Sequence, residues 1–354
     1  METVKKYLNR IFVDGLSGMA LGLFGTLIIG TIIQQIGTLI GGTVGEWIFV
    51  IGKMAASITG AGIGVGVACK FKESPLVMVS SATAGMVGAF ASSILKGTIL
   101  VDGAINYSGP GEPLGAFIAA YVAVELGHLV SGKTSVDILV TPLVSIVSGS
   151  AMGLLVGPPI SVFMKSLGVL INWGTEQQPF LMGIIVSVLM GMILTLPISS
   201  AALGLILELS GLAAGAATVG CCANMVGFAV ASYRENRMAG LVAQGLGTSM
   251  LQVPNIVRKP KIWLPAIIAS AILGPLSTMV FGMTNSAAGS GMGTAGLVGQ
   301  ITTYQDMVVT QAPMIVLLKI ILLHFVLPAV IALAVSEFMR KKNMIVKDDM
   351  RLDI

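Results

Sequence analysis

Two long apolar runs, residues 135–157 and 312–336, each exceed the roughly 20 residues that carry an α-helix across a bilayer core. A chain with such runs must satisfy its backbone inside helices, because lipid offers no hydrogen bonds. Repeating the reading along the chain places ten spans near 14–40, 45–69, 75–96, 112–131, 135–157, 179–205, 209–231, 237–256, 261–283 and 312–338. Only 10% of residues are charged and 55% are hydrophobic. A soluble domain carries about 25% charged residues, so this chain could not cover a water-facing surface. Glycine, 45 of 354 residues, suits close helix approach where no hydrophobic effect drives helices together.

The basic residues fall in short loops, which reads as membrane topology rather than nucleic-acid affinity. With a cytoplasmic N-terminus, fourteen of the 20 lie inside: Lys5, Lys6, Arg10, Lys70, Lys72, Lys133, Arg258, Lys259, Lys261, Arg340, Lys341, Lys342, Lys347 and Arg351. Lys96, Lys165, Arg234 and Arg237 lie outside, and Lys53 and Lys319 within spans. Both termini are therefore expected in the cytoplasm. The first apolar stretch is too long for a signal peptide and reads as an uncleaved helix. Trp47, Trp173 and Trp263 fall at span ends, where aromatic belts form. Cys69, Cys221 and Cys222 lie in or beside apolar segments and read as small buried hydrophobes; neither a metal site nor a cofactor is expected.

A weak repeat recurs at an offset of about 160 to 170 residues. Gly25-Thr26-Leu27-Ile28-Ile29-Gly30-Thr31 aligns with Gly191-Met192-Ile193-Leu194-Thr195-Leu196-Pro197. Lys70-Phe71-Lys72-Glu73-Ser74 aligns with Ser232-Tyr233-Arg234-Glu235-Asn236. A five-span unit reverses direction when repeated, so the expected fold is all-α and polytopic, with two inverted five-helix halves. Residues 1–157 form the first half, 158–178 an amphipathic interfacial connector after Pro158-Pro159, 179–340 the second half and 341–354 a cytoplasmic tail.

Polar segments at membrane depth mark cavities or buried backbone. Gln34-Gln35 precedes Gly37, Gly41, Gly42 and Gly45, and Thr195-Leu196-Pro197-Ile198-Ser199-Ser200 occupies the equivalent place before Glu208. The stretch from Thr284-Asn285-Ser286 through Gly296, running on to Gln300, contains Gly291, Gly293 and Gly296 in GxGxxG spacing. No strand precedes it, so a dinucleotide site is excluded and a re-entrant loop fits better, against the plainer reading of an external loop. The glycine ladder Gly60, Gly62, Gly64 and Gly66 reads as a packing face. Gln34, Gln35, Ser199, Ser200, Asn224 and Asn285 are expected to converge on a polar cavity near the midplane, with Glu208 at its rim. Their amides and hydroxyls suit a small neutral polar solute. Glu125, Lys319 and His324 are candidate charge relays, against the bland alternatives of ion pairs and snorkelling ends; Glu125 shares a helical face with His128.

These features together resemble the integral membrane IIC subunits of the bacterial sugar phosphotransferase system. The carriers are the ten-span layout, the connector after Pro158-Pro159 and the Gly/Ser/Asn-rich loop before the last span. The stretch from Gly191 to Ala202, Asn224 and residues 284–296 look most like a divergent branch that includes the perfringolysin-regulator type of membrane protein. The similarity covers roughly residues 10–340. It implies a sugar or sugar derivative held between a scaffold half and a mobile half, moved across the bacterial inner membrane by alternating access, in a homodimer. In such subunits an embedded His and Glu engage the sugar; no matching motif stands here, so those roles are not transferred. No IIA or IIB segment with a phosphorylatable Cys or His is present, so a separate cytosolic IIB would dock on the cytoplasmic face. The competing readings are a membrane-bound ligand sensor and an ion-coupled carrier using Glu125, Glu208 or Lys319.

Overall fold

The computed structural model describes residues 10–352 other than Ser108, in two compact units, one ending at Phe163 and the other beginning at Met164. The chain is all-α and polytopic. Among the described residues six helices are long and apolar enough to cross a membrane, or seven when a pair bent by 54° counts as one span.

The first unit contains α1 (Val13–Ile40), α2 (Gly42–Ser57), α3 (Thr59–Lys70), α4 (Pro75–Ala89), α5 (Ala91–Leu95), the hairpin β1 (Leu100–Val101) and β2 (Ala104–Ile105), and α6 (Pro113–Val130). The expected span 45–69 is the bent pair α2 and α3. Ser57 Oγ donates to Met54 O at 2.8 Å and Thr59 Oγ1 to Ala56 O at 2.6 Å, hydroxyl bonds that compete with the helix ladder beside the break at Ile58. The glycine ladder packs two faces at once. Residues two apart lie on nearly opposite sides of a helix, so Gly62 and Gly66 meet α1 while Gly60 and Gly64 meet α4. A Cβ on Gly66 would stand 2.2 Å from Gly18 O, and one on Gly64 2.2 Å from Ser81 O. Backbone lies on backbone here, as small residues permit in lipid.

Helix α7 (Asp137–Thr175) runs for 39 residues through Pro142, Pro158 and Pro159. The connector expected to restart at Pro158 is a continuation of the fifth span. Each proline forfeits one ladder bond, a loss that membrane helices tolerate when neighbours satisfy the freed carbonyl.

The second unit contains α8 (Pro179–Thr195), α9 (Ser200–Ile206), α10 (Gly211–Ala231), α11 (Tyr233–Val242), α12 (Val253–Arg258), α13 (Pro260–Val280), α14 (Ala287–Ser290), α15 (Val298–Met307) and α16 (Pro313–Lys341). Helix α10 is almost wholly buried, and its alanines and glycines let α8, α13 and α16 close around it. The expected span 179–205 breaks where the sequence placed the break and returns instead of crossing: Pro179 O accepts from Thr278 Oγ1 at 2.8 Å, near the end of the unit where Gly211 and Asn285 also meet. Leu196 takes an extended conformation, φ −75° and ψ 161°, as a residue before proline must, and the helix resumes at Ser200.

A second expected span is corrected. Residues 237–256 do not form a continuous crossing helix. Asn236 Nδ2 and Gln252 Nε2 both donate to Met350 O, at 2.8 and 3.0 Å. Asn255 Nδ2 donates to Arg351 O at 2.8 Å, and Lys259 pairs with Asp349 at 3.7 Å. The two ends of the segment are thus held by the same short stretch of tail, so it enters and returns. Its buried Gln244, Gln252 and Asn255 satisfy one another and Ser232, which a lipid-crossing helix would not require. Arg234 and Arg237 therefore lie on the tail's side, not opposite it. The tail itself is docked: Ile345, Met350 and Leu352 are buried against this end of the unit.

Residues 283–307 form a further re-entrant element, entering from the end opposite the tail. Asn285 bridges to Gly211 at the start of α10, while the tip residue Thr294 contacts Met225, well past the middle of that helix. The limbs are tied together by Thr284 to Asp306 and by Asn285 Nδ2 to Gly299 O at 3.3 Å. Gly293 and Gly296 turn the chain with φ of +53° and +54°. The two re-entrant tips meet, since Thr294 Oγ1 donates to Gly245 O.

Candidate functional site

The proline break, the re-entrant element and α10 bring several expected residues together in the second unit. Ser200 Oγ donates to Gly291 O at 2.6 Å, joining α9 to the glycine-rich limb. A Cβ on Gly291 would lie 2.2 Å from Ser200 O, so the GxGxxG spacing serves close packing. Ser199 is buried beside it. Asn285 is buried, with Nδ2 donating to Thr218 Oγ1 at 2.7 Å and Oδ1 accepting from Ser286 N at 2.8 Å. Glu208 is exposed, at φ +49° in the turn between α9 and α10. Gln34 and Gln35 lie in the first unit; Gln34 Nε2 donates to Gly30 O of its own helix at 3.3 Å.

Asn224 is a node of the fold. Its Oδ1 accepts from Trp263 Nε1 at 2.9 Å and Thr195 Oγ1 at 3.2 Å; its Nδ2 donates to Gly220 O at 3.2 Å and Ser270 Oγ at 3.1 Å. Both donors and both lone-pair directions are taken by protein. Trp263, expected in an interfacial belt, is turned inward to supply one of them. Replacing Asn224 by Ala strands the buried indole N–H, at a cost of about 1–3 kcal/mol. The expected result is a lowered melting temperature of the purified protein; Asn224→Ala melting with the wild type would remove this role.

The charge-relay candidates divide. Glu125 accepts from Arg10 Nε at 2.6 Å near the end of α6, where His128 Nδ1 pairs with Glu73 at 2.9 Å and Arg10 lies 4.2 Å over the Phe71 ring. Burial opposes the Arg10 charge, but the bond and charge of Glu125 outweigh it and raise the guanidinium pKa above its ordinary value. This is an ion-pair cluster at helix ends. Lys319 Nζ donates to Phe281 O at 2.6 Å and Gln311 Oε1 at 2.8 Å, satisfying a carbonyl just past the end of α13.

His324 is different. It is fully buried on a π-helical turn, Ile321–Val326, well inside α16. Such turns recur at functional sites. Gln300 Nε2 lies 3.2 Å from His324 Nδ1. Gln300 Nε2 also lies 3.3 Å from Cys222 Sγ; in the tautomer where Nδ1 accepts from the amide, the ring proton sits on Nε2. That Nε2 has no partner among the described residues, and neither have Gln300 Oε1 and Thr303 Oγ1. Gln300 and Thr303, three apart, share a face of α15. A donor, an acceptor and a hydroxyl are therefore buried unpaired around one re-entrant limb, a complement for the hydroxyls of a neutral polar ligand. Sequence reasoning reached His324 and named Gln300 only as the end of a loop. Thr303 carried no signal, because its importance comes from a partner missing in space.

Comparison with known proteins adds one match. A family model described as Phosphotransferase system, EIIC matches residues 13–352. No curated protein matches the chain.

Proposed function

The chain belongs to the phosphotransferase-system EIIC family, a multi-pass membrane subunit of sugar-type transport that works with IIB and IIA proteins, and from this premise we propose that its second unit binds a sugar or sugar derivative through His324, Gln300 and Thr303. The carrying observation is the set of unpartnered buried polar atoms on those three side chains. Unpaired groups at depth cost folding free energy, and the hydroxyls of a bound sugar would satisfy these three. Ser199, Ser200 and Asn285 hold the neighbouring re-entrant elements in place, and Gln34 and Gln35 are the first unit's counterpart.

Transport proceeds by alternating access, with residues 283–307 moving about their glycines, and phosphorylation is supplied by a separate IIB protein. The termini are cytoplasmic in the bacterial inner membrane. Moving Arg234 and Arg237 to the tail's side strengthens that reading, leaving only Lys96 and Lys165 outside. The exposed apolar surface of α1 and α2, with Leu39, Trp47 and Met54, supports a homodimer interface. Glu125 is neutralised by Arg10, and Lys319 is held by the Phe281 carbonyl and Gln311 Oε1, which favours neutral recognition over a charge relay.

Purified protein in liposomes, offered a panel of radiolabelled sugars with and without phosphorylated IIB, is expected to show saturable uptake of at least one. Saturable binding without any uptake would replace this reading by a ligand sensor.

A further inference from the structure

The docked tail builds a pocket of about 720 Å³ at the end of the second unit, against the first turn of α11 and the last turn of α16. Five of its lining residues are cationic: Arg234, Arg237, Arg340, Lys347 and Arg351. Two are already neutralised, Arg340 by buried Glu235 at 2.9 Å and Arg234 by Glu337 at 2.7 Å. Arg237, Lys347 and Arg351 take part in no ion pair among the described residues, and Asp348 is the single remaining carboxylate in the lining.

The backbone of this pocket is unusual. Arg237 has φ 52° and ψ −150°, a region that is nearly glycine-only, and Asn343 and Asp348 have φ of 55° and 69°. Left-handed non-glycine residues are uncommon, and they persist where surrounding structure holds them for a purpose. Here the surroundings are visible: Asn236 Oδ1 accepts from Leu352 N at 2.9 Å, and its Nδ2 donates to Met350 O. The tail is thereby fixed with its cations facing those of α11.

We propose that this pocket binds a phosphate-bearing anion, either a free phosphate or phosphomonoester or the phosphate of a lipid headgroup. Guanidinium groups match phosphate oxygens with paired N–H donors, and three uncompensated cations in one concavity suit a multiply charged anion. The inference does not depend on the sugar site or on transport, because the pocket is formed by the tail and α11 alone with the end of α16.

The test is the melting temperature of the full chain in mild detergent, titrated with inorganic phosphate against potassium chloride at matched ionic strength. A parallel arm compares nanodiscs of phosphatidylglycerol with nanodiscs of phosphatidylcholine. Saturable stabilisation by phosphate beyond chloride, with the midpoint shifted at least about tenfold in Lys347→Gln/Arg351→Gln, is the expected result for a soluble anion. No phosphate response, but stabilisation by phosphatidylglycerol that the same variant loses, assigns the pocket to a headgroup. Neither response, or equal responses in variant and wild type, overturns the proposal. If Lys347→Gln/Arg351→Gln melts early without ligand, Arg237→Gly is the second variant, since glycine adopts that backbone freely.

Discussion

Gly220→Ala is expected to abolish recovery of folded protein, while Gly25→Ala leaves yield and melting temperature unchanged. A Cβ at position 220 would lie 1.9 Å from Ser187 O and 2.5 Å from Ser187 Cα. The contact atoms are backbone, so no rotamer change relieves them. Restoring an ordinary separation of roughly 3.5 Å requires α8 and α10 to part by about 1.5 Å along their shared face. That displacement also loosens the next contact, where Gly191 meets Gly220 O and the Asn224 amide, and with it the bonds to Thr195, Trp263 and Ser270. At Gly25 nothing lies within 4 Å of the added methyl. Size-exclusion profiles and thermal melts of both variants make the comparison; a monodisperse Gly220→Ala melting with the wild type would show that these helices are not in backbone contact.

The contrast between these two glycines marks the limit of sequence reading. Both occur in apolar runs of similar composition, and only the neighbouring helix separates them. Helices long and apolar throughout were legible: the expected span 112–131 is Pro113–Val130, 209–231 is Gly211–Ala231 and 261–283 is Pro260–Val280. Proline and glycine punctuation also placed the break after Thr195 and the re-entrant loop near Gly291. Residues 237–256 were misread because Ala, Gly, Leu and Val give the segment a lipid-compatible composition. Its polar residues reveal a returning path only through partners about 100 positions away, such as Met350 for Gln252. The fold correction follows from that pairing. Similarly, Asn224 looked like a ligand group because a lone amide in an apolar helix must find partners. That Trp263 and Ser270 are among those partners is a tertiary fact.

Thr303→Val is expected to cut sugar uptake about tenfold without lowering the melting temperature, the loss of one hydrogen bond made only to the ligand. Valine keeps the branched shape of threonine and removes a buried hydroxyl that has no partner in the described fold. Removing an unpaired buried polar group stabilises or leaves stability unchanged, so a purely structural Thr303 predicts a higher melting temperature with unaltered uptake. A ligand-binding Thr303 predicts stability gained or kept with uptake lost, the trade-off of a site held open for a solute. His324→Ala carries the argument one step further. It deletes the unpaired Nε2 donor and also releases Gln300 from its 3.2 Å contact, so both binding groups on facing elements fail together. Uptake is expected to vanish. Some melting temperature is lost as well, because a cavity replaces a fully buried ring. The decisive comparison is therefore Thr303→Val, where folding and transport are expected to move in opposite directions; full uptake by that variant would take the polar cluster out of the transport path.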